Sequence, residues 1–132
     1  MSSYQLPIDV VEFAESHLTS VHDLEVLMVL VDSPSRWWDA GMIAQELGLT
    51  TRVARNSLEH LATRNLLDIR ITGDVKYQLR PSTPELDRAV TLFAATYRRH
   101  SPSVTRMVLE RAAGRRAREF ADAFRIRRDD SG

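Results

Sequence analysis

Residues 42–67 read MIAQELGLTTRVARNSLEHLATRNLL. Ile43, Ala44 and Leu47 recur at helical spacing in the first part, and Ala54, Leu58 and Leu61 do so in the second. Only Gly48 and Leu49 stand between the first run and Thr50, a residue suited to cap a second helix through about Leu66. Asp39 is the predicted cap of the first helix, DAGMIAQEL, and Trp38 before it is placed to staple onto Ile43. In the second helix Arg52, Arg55, Asn56, Glu59 and Thr63 fall on the side opposite the apolar positions. Asn65 sits where a left-handed helix terminator is wanted.

From Leu67 to Leu79 the apolar period changes to two. Leu67, Ile69 and Ile71 alternate with Asp68 and Arg70, and Val75, Tyr77 and Leu79 alternate with Lys76 and Gln78. Gly73-Asp74 between them reads as a two-residue hairpin turn. A helix, a tight glycine-containing turn, a second helix and a hairpin form a helix-turn-helix followed by a wing. Its core contacts fall on Ile43, Ala44, Leu47, Leu49, Ala54, Leu58, Leu61 and Leu66, with the small Ala44 where the helices cross. The outer face of the second helix is then free to enter a DNA major groove.

Helices dominate on both sides. One is predicted from about Ile8 to Leu18, and a second opens at the Ser20-x-x-Asp23 start signal and ends at Asp32-Ser33-Pro34-Ser35. Thr83-Pro84-Glu85 opens a closing helix to about Arg99, and Ser101-Pro102 opens another toward Phe124, with a kink expected at Gly114. The fold class is therefore mainly α with a small β-hairpin, a winged helix-turn-helix with extra N- and C-terminal helices. The 132 residues read as a single domain. Its winged core spans 19–81, flanking helical segments span 7–18 and 84–124, and a basic and acidic tail spans 125–132.

Charge is unevenly spread. The chain has 18 basic and 18 acidic residues, yet residues 1–49 hold one base against eight acids, a formal −7. Residues 50–80 carry +3 and residues 81–132 carry +4. All the bases but Lys76 are arginine, whose planar fork suits phosphates and guanine edges as well as ion pairs. The absence of cysteine excludes thiolate zinc sites, redox dithiols and disulfides, and fits a cytoplasmic location. The start MSSYQLPIDVVEFAESHL carries acids where a secretory signal carries bases. The longest apolar run, VLMVLV at Val26–Val31, is far shorter than the roughly 20 residues of a membrane span, so no membrane association is expected.

The motif over residues 38–80 resembles the bacterial winged helix-turn-helix regulators, and the element order over nearly the whole chain resembles the MarR-type transcriptional regulators. The resemblance implies a transcription regulator that binds double-stranded DNA as a homodimer. On this chain it implies that Thr50 caps the recognition helix and meets phosphate, while Thr51, Arg52, Arg55 and Asn56 reach base edges or the flanking backbone. Arg70 and Lys76, beside the hairpin turn, would touch phosphates or the minor groove. The wing tip here is only Thr72-Gly73-Asp74, shorter than the MarR-type wing and without an Asp-x-Arg motif at its tip, and Glu59 lies outward on the recognition helix.

Leu86, Val90, Phe93 and Tyr97, continued by Val104, Met107 and Val108, form an apolar stripe on the closing helices. It reads as a dimer interface built from residues 84–113 with the first helix, or as core folded back over the wing. Dimerisation would set two recognition helices roughly 34 Å apart on a pseudo-palindromic site. Residues 111–128 hold seven arginines against Glu119 and Asp122. That segment reads as a DNA-backbone arm, a membrane-surface helix, a helix docking a protein partner, or cations complementing a helix C-terminus. Trp37 reads as packed, or as lining a cleft for a small-molecule effector.

Catalysis is not expected. His17, His22, His60 and His100 show no H-x-x-x-H or H-E-x-x-H pairing, and the five glycines form neither a phosphate-cradling loop nor a nucleophile elbow. No metal or cofactor is anticipated. An alternative function is a winged-helix interaction module that docks a regulatory protein through the Arg-rich C-terminal helix.

Overall fold

A computed structural model describes residues 4–130, with side chains through 123. The order is α1 (Ile8–His17), α2 (Val21–Asp32), α3 (Ala40–Leu47), α4 (Thr51–Thr63), β1 (Leu67–Thr72), β2 (Asp74–Leu79), α5 (Pro84–Arg99) and α6 (Ser101–Asp130). This is a mainly helical winged helix-turn-helix fold with added helices at both ends.

Short-range chemistry sets most of the boundaries. Ser20 Oγ accepts from Asp23 N–H at 3.2 Å, Asp39 Oδ1 from Met42 N–H at 2.8 Å, Thr50 Oγ1 from Val53 N–H at 3.2 Å, and Thr83 Oγ1 from Leu86 N–H at 3.1 Å. Each cap satisfies a donor that its helix leaves unpaired, worth about 1 kcal/mol. α3 stops at Gly48 and α4 at Asn65, with φ of 67° and 66°, the left-handed geometry that turns the chain sharply.

α2 is the centre of the molecule. Leu24, Val26, Leu27 and Leu30 are buried on several sides of it, against α3, α4 and the helices that flank the winged core. Ile43, Leu58, Leu61 and Leu66 close the helix-turn-helix over this helix. β1 and β2 pair antiparallel, with Ile69 opposite Tyr77 and Arg70 opposite Lys76. Trp38 adds a third, one-residue strand: its N–H donates to the Tyr77 carbonyl at 2.8 Å, and Tyr77 N–H donates back at 2.7 Å. A single extended residue has no periodicity, so the sequence reading missed this bridge.

The structure corrects several expectations. Thr72 pairs with Asp74, so the hairpin turns on Gly73 alone, at φ 91°, a value that glycine adopts without steric cost. α6 is continuous through Gly114 and runs to Asp130, so residues 125–130, read as tail, are helical. Alanine-rich sequence with no proline beyond Pro102 lets the helix continue.

The dimer stripe is corrected at four positions. Val90, Phe93, Val104 and Val108 are buried within the chain itself, because α1 and α2 pack over the faces of α5 and α6 that carry them. The Phe93 ring meets Phe13 of α1 with centroids 4.9 Å apart. Leu86 and Tyr97 are half-buried against the same core.

Candidate nucleic-acid interface

α4 has two unlike faces. Ala54, Ser57, Leu58 and Leu61 are buried against the core, which fixes the helix in orientation. Thr51, Arg52, Arg55 and Asn56 are all exposed on the outer side, and Thr50 is exposed at the start. The structure thus brings the five predicted α4 residues together at the positive end of one helix. Two guanidinium groups, an amide and two hydroxyls within two turns can donate to phosphate oxygens and to base edges.

The wing residues lie elsewhere. Because strand side chains alternate, Arg70 and its cross-strand partner Lys76 share one face of the hairpin, and Ile69, Ile71, Val75 and Tyr77 share the other. It is the second face that turns toward α4. A cleft of about 300 Å³ lies there, lined by Asp39 and the start of α3, by Arg55 and Glu59, and by Asp74, Val75 and Tyr77. Arg70 and Lys76 therefore stand on the back of the wing, apart from Arg52, Arg55 and Asn56. The Arg70 guanidinium stacks over the Trp37 ring at 4.5 Å, and Arg36 stacks over Trp38 at 4.1 Å. Trp37, half-buried, is thus a platform for Arg70.

The cleft has its own electrostatics. Burial pushes the Tyr77 phenol above its ordinary value; the Glu59 carboxylate adds to this and the Arg55 guanidinium opposes it. Glu59 follows Arg55 by one turn on the same face of α4, and with Asp74 of the wing it sets two carboxylates beside Arg55 in the cleft. Ile69, Ile71 and Val75 are largely exposed, Ile71 by 73%. Their period-two pattern was legible as strand, while their exposure depends on how little of α4 reaches the wing tip.

A second feature escaped the sequence reading. Asp23, seen there only as part of a helix start signal, is fully buried and accepts the Thr19 N–H at 2.9 Å and the Thr19 hydroxyl at 2.6 Å. His60 Nδ1, on α4, is 3.4 Å from the other carboxylate oxygen. Arg64, at the end of α4, donates to the Ser16 carbonyl. These contacts tie α4 to α2 and to α1. Among the described residues, no helix is long and apolar enough to cross a membrane, and no group of three or more His, Asp or Glu side chains is placed to hold a metal ion.

No family model and no curated protein matches the chain. Among solved structures, the chain is similar to a protein described as a possible transcriptional regulator from Methanosarcina mazei Go1. The TM-score is 0.51 at 16% sequence identity, over 78% of this chain and 89% of that one. At that identity the likeness is one of fold.

Proposed function

We propose that this protein is a sequence-specific double-stranded DNA-binding transcriptional regulator with MarR-like topology, acting as a homodimer. The observation that carries the reading is the outer face of α4, where Thr50, Thr51, Arg52, Arg55 and Asn56 are exposed together while the opposite face is locked into the core. Arginine reads guanine and asparagine reads adenine, each through paired hydrogen bonds in the major groove. The description of the Methanosarcina mazei structure supports the same role. In this reading the protein works in the cytoplasm, catalyses nothing, and uses Arg70 and Lys76 for the DNA backbone from behind the wing.

The test is capture of sheared genomic DNA by the purified protein at near-physiological salt, followed by sequencing. An Arg52→Glu/Arg55→Glu variant serves as the control. Enrichment of a two-fold symmetric site that the variant loses is expected; retention no different from the variant's overturns the reading.

A second reading is favoured by one observation, the exposed Ile69, Ile71 and Val75 on the wing beside Glu59 and Asp74. An apolar, acid-flanked surface suits a protein better than DNA. Under it the chain is an interaction module that docks a regulatory protein, with the Arg-rich end of α6 as a further contact. Affinity for DNA falls steeply with salt because phosphate counterions are released, whereas an apolar protein interface changes little, so the salt slope separates the two.

A further inference from the structure

β1 is an open edge. The sheet has the order β1–β2, and Trp38 bridges to Tyr77 on the far side of β2, so among the described residues no strand lies beyond β1. From Ile69 to Thr72 every residue of β1 is exposed. The strand, LDIRIT, has neither the proline nor the lysine that commonly blunts an edge.

Backbone alternation fixes which groups point outward. The N–H and C=O of Tyr77 both pair with Trp38, and Arg80 N–H donates to the Leu66 carbonyl at 2.9 Å. Residues 66, 68 and 70 therefore direct their backbone groups into β2, while Leu67, Ile69 and Ile71 direct theirs to the open side. There the Ile69 N–H donates to the carboxylate of its own neighbour, Asp68, at 3.0 Å. An acceptor thus already stands where the carbonyl of a further strand would stand.

The pattern along the edge decides the occupant. Ile69 and Ile71, exposed by 47% and 73%, present apolar surface on the front of the wing, the face toward α4. Asp68 and Arg70 flank Ile69 on the back with opposite charge. Turned end for end about Ile69, the segment from Leu67 to Ile71 complements itself: Ile69 meets its own copy, Leu67 meets Ile71, and each Asp68 meets an Arg70. A register with Ile69 against Ile71 would instead set Arg70 against Arg70, and like charges directly opposite are destabilising. In the single chain Asp68 is 3.4 Å from Arg80 and Arg70 stacks on Trp37, both at the surface, where such contacts are weak enough to exchange.

We infer that β1 of one copy of the chain pairs antiparallel with β1 of a second copy across a two-fold axis at Ile69, with Asp68 of each copy opposite Arg70 of the other. The two hairpins then form one four-stranded sheet. Opposite residues of paired strands share a face, so both α4 helices stand on the same side of that sheet. This gives the homodimer proposed above a contact through its wings and rests on that part of the reading alone, since no DNA contact enters it.

The chain has no cysteine, so a single introduced thiol reports the pairing. A residue opposite its own copy in a hydrogen-bonded pair has the two Cα atoms about 5.5 Å apart, within disulfide range. Ile69→Cys, in the full chain under mild oxidation with diamide, should form a linked dimer at least about 10-fold faster than Val75→Cys, because thiols held face to face react as if within one molecule. Val75 is exposed to a similar degree, 42%, but lies on β2. Adding Arg70→Asp should slow the link by about 5-fold or more, since acids then stand opposite each other on both sides of the axis. Adding Asp68→Arg as well should restore the rate, a rescue that a misfolded variant could not give. Linking of Ile69→Cys that is no faster than that of Val75→Cys, or that ignores these charge changes, overturns the wing pairing. Light scattering of the parent at several concentrations keeps the two failures apart. A mass of twice 15.0 kDa without preferential linking leaves the homodimer standing, and 15.0 kDa throughout without linking overturns both.

Discussion

His60 Nδ1, on the helix that carries the candidate DNA-reading face, lies 3.4 Å from Oδ1 of Asp23, a carboxylate shut off from solvent at the start of α2. Half of His60 is exposed, so the energetic weight of the cluster falls on Asp23 and its two hydrogen bonds from Thr19. Removing the carboxylate takes away the partner of the part-buried Thr19 N–H, while the Thr19 hydroxyl keeps only His60 Nδ1 at 3.3 Å. Asp23→Ala is expected to lower stability by about 1–3 kcal/mol. His60→Ala, at the solvent-screened end, should cost less than about 1 kcal/mol. Urea denaturation of the two variants checks the order; equal losses would mean that the pair itself, rather than the Thr19 capping, holds α4 to α2.

Arg52 and Lys76 should differ in kind. Arg52 is exposed on the outer face of α4, so Arg52→Ala should cost about 1–3 kcal/mol of binding to the captured site and relax discrimination at one base position. Lys76 sits on the back of the wing beside Arg70, and Lys76→Ala should weaken all sequences alike while reducing the salt slope by about 1. Binding titrations against the site and single-base variants of it, at several salt concentrations, distinguish the two. Small, equal effects would count against base readout by Arg52.

Two glycines should respond in opposite ways to alanine. Gly48 ends α3 at φ 67°, where a Cβ meets the backbone, so Gly48→Ala should destabilise by about 1–2 kcal/mol although the space around it is open. Gly114 lies within α6 with no heavy atom within 4 Å of the added Cβ, and Gly114→Ala should stabilise by roughly 0.5–1 kcal/mol. Thermal unfolding reads both signs. A stabilising Gly48→Ala would contradict the left-handed turn.

Tyr77 links stability to alkaline pH. Its phenol is held above the ordinary 10.0 by burial, then by Glu59, against Arg55. The folded protein therefore keeps the phenolic proton to higher pH than the unfolded chain does. Its contribution is complete below about pH 10 and is lost as pH rises through the folded value. Denaturation at about pH 9 and about pH 11 should show a loss of stability in the parent that is smaller in Tyr77→Phe. Parallel losses would remove Tyr77 as a cause.

Much of this architecture was legible residue by residue. Asp39, Thr50 and Thr83 cap the helices they were expected to cap, and Gly48 and Asn65 adopt the left-handed geometry expected of them. The outward position of Arg52, Arg55 and Asn56 followed from the helical period alone. The stripe of Val90, Phe93, Val104 and Val108 was equally visible as a stripe, but its partner was not: the same pattern serves a second copy or the chain's own α1 and α2, and only packing distinguishes them.

The division follows sequence separation. Capping, helix termination and strand alternation are interactions between residues a few positions apart, and the side chains involved carry their own geometry, so the sequence by itself determined the elements, their order and the outer face of α4. The Asp23–His60 contact spans 37 residues, and Trp38 pairs with Tyr77 across slightly more. These contacts and the placement of Arg70 and Lys76 behind the wing depend on how whole helices pack against one another. Periodicity marks which side of an element is apolar but not what covers it, and tertiary packing alone decided those relationships.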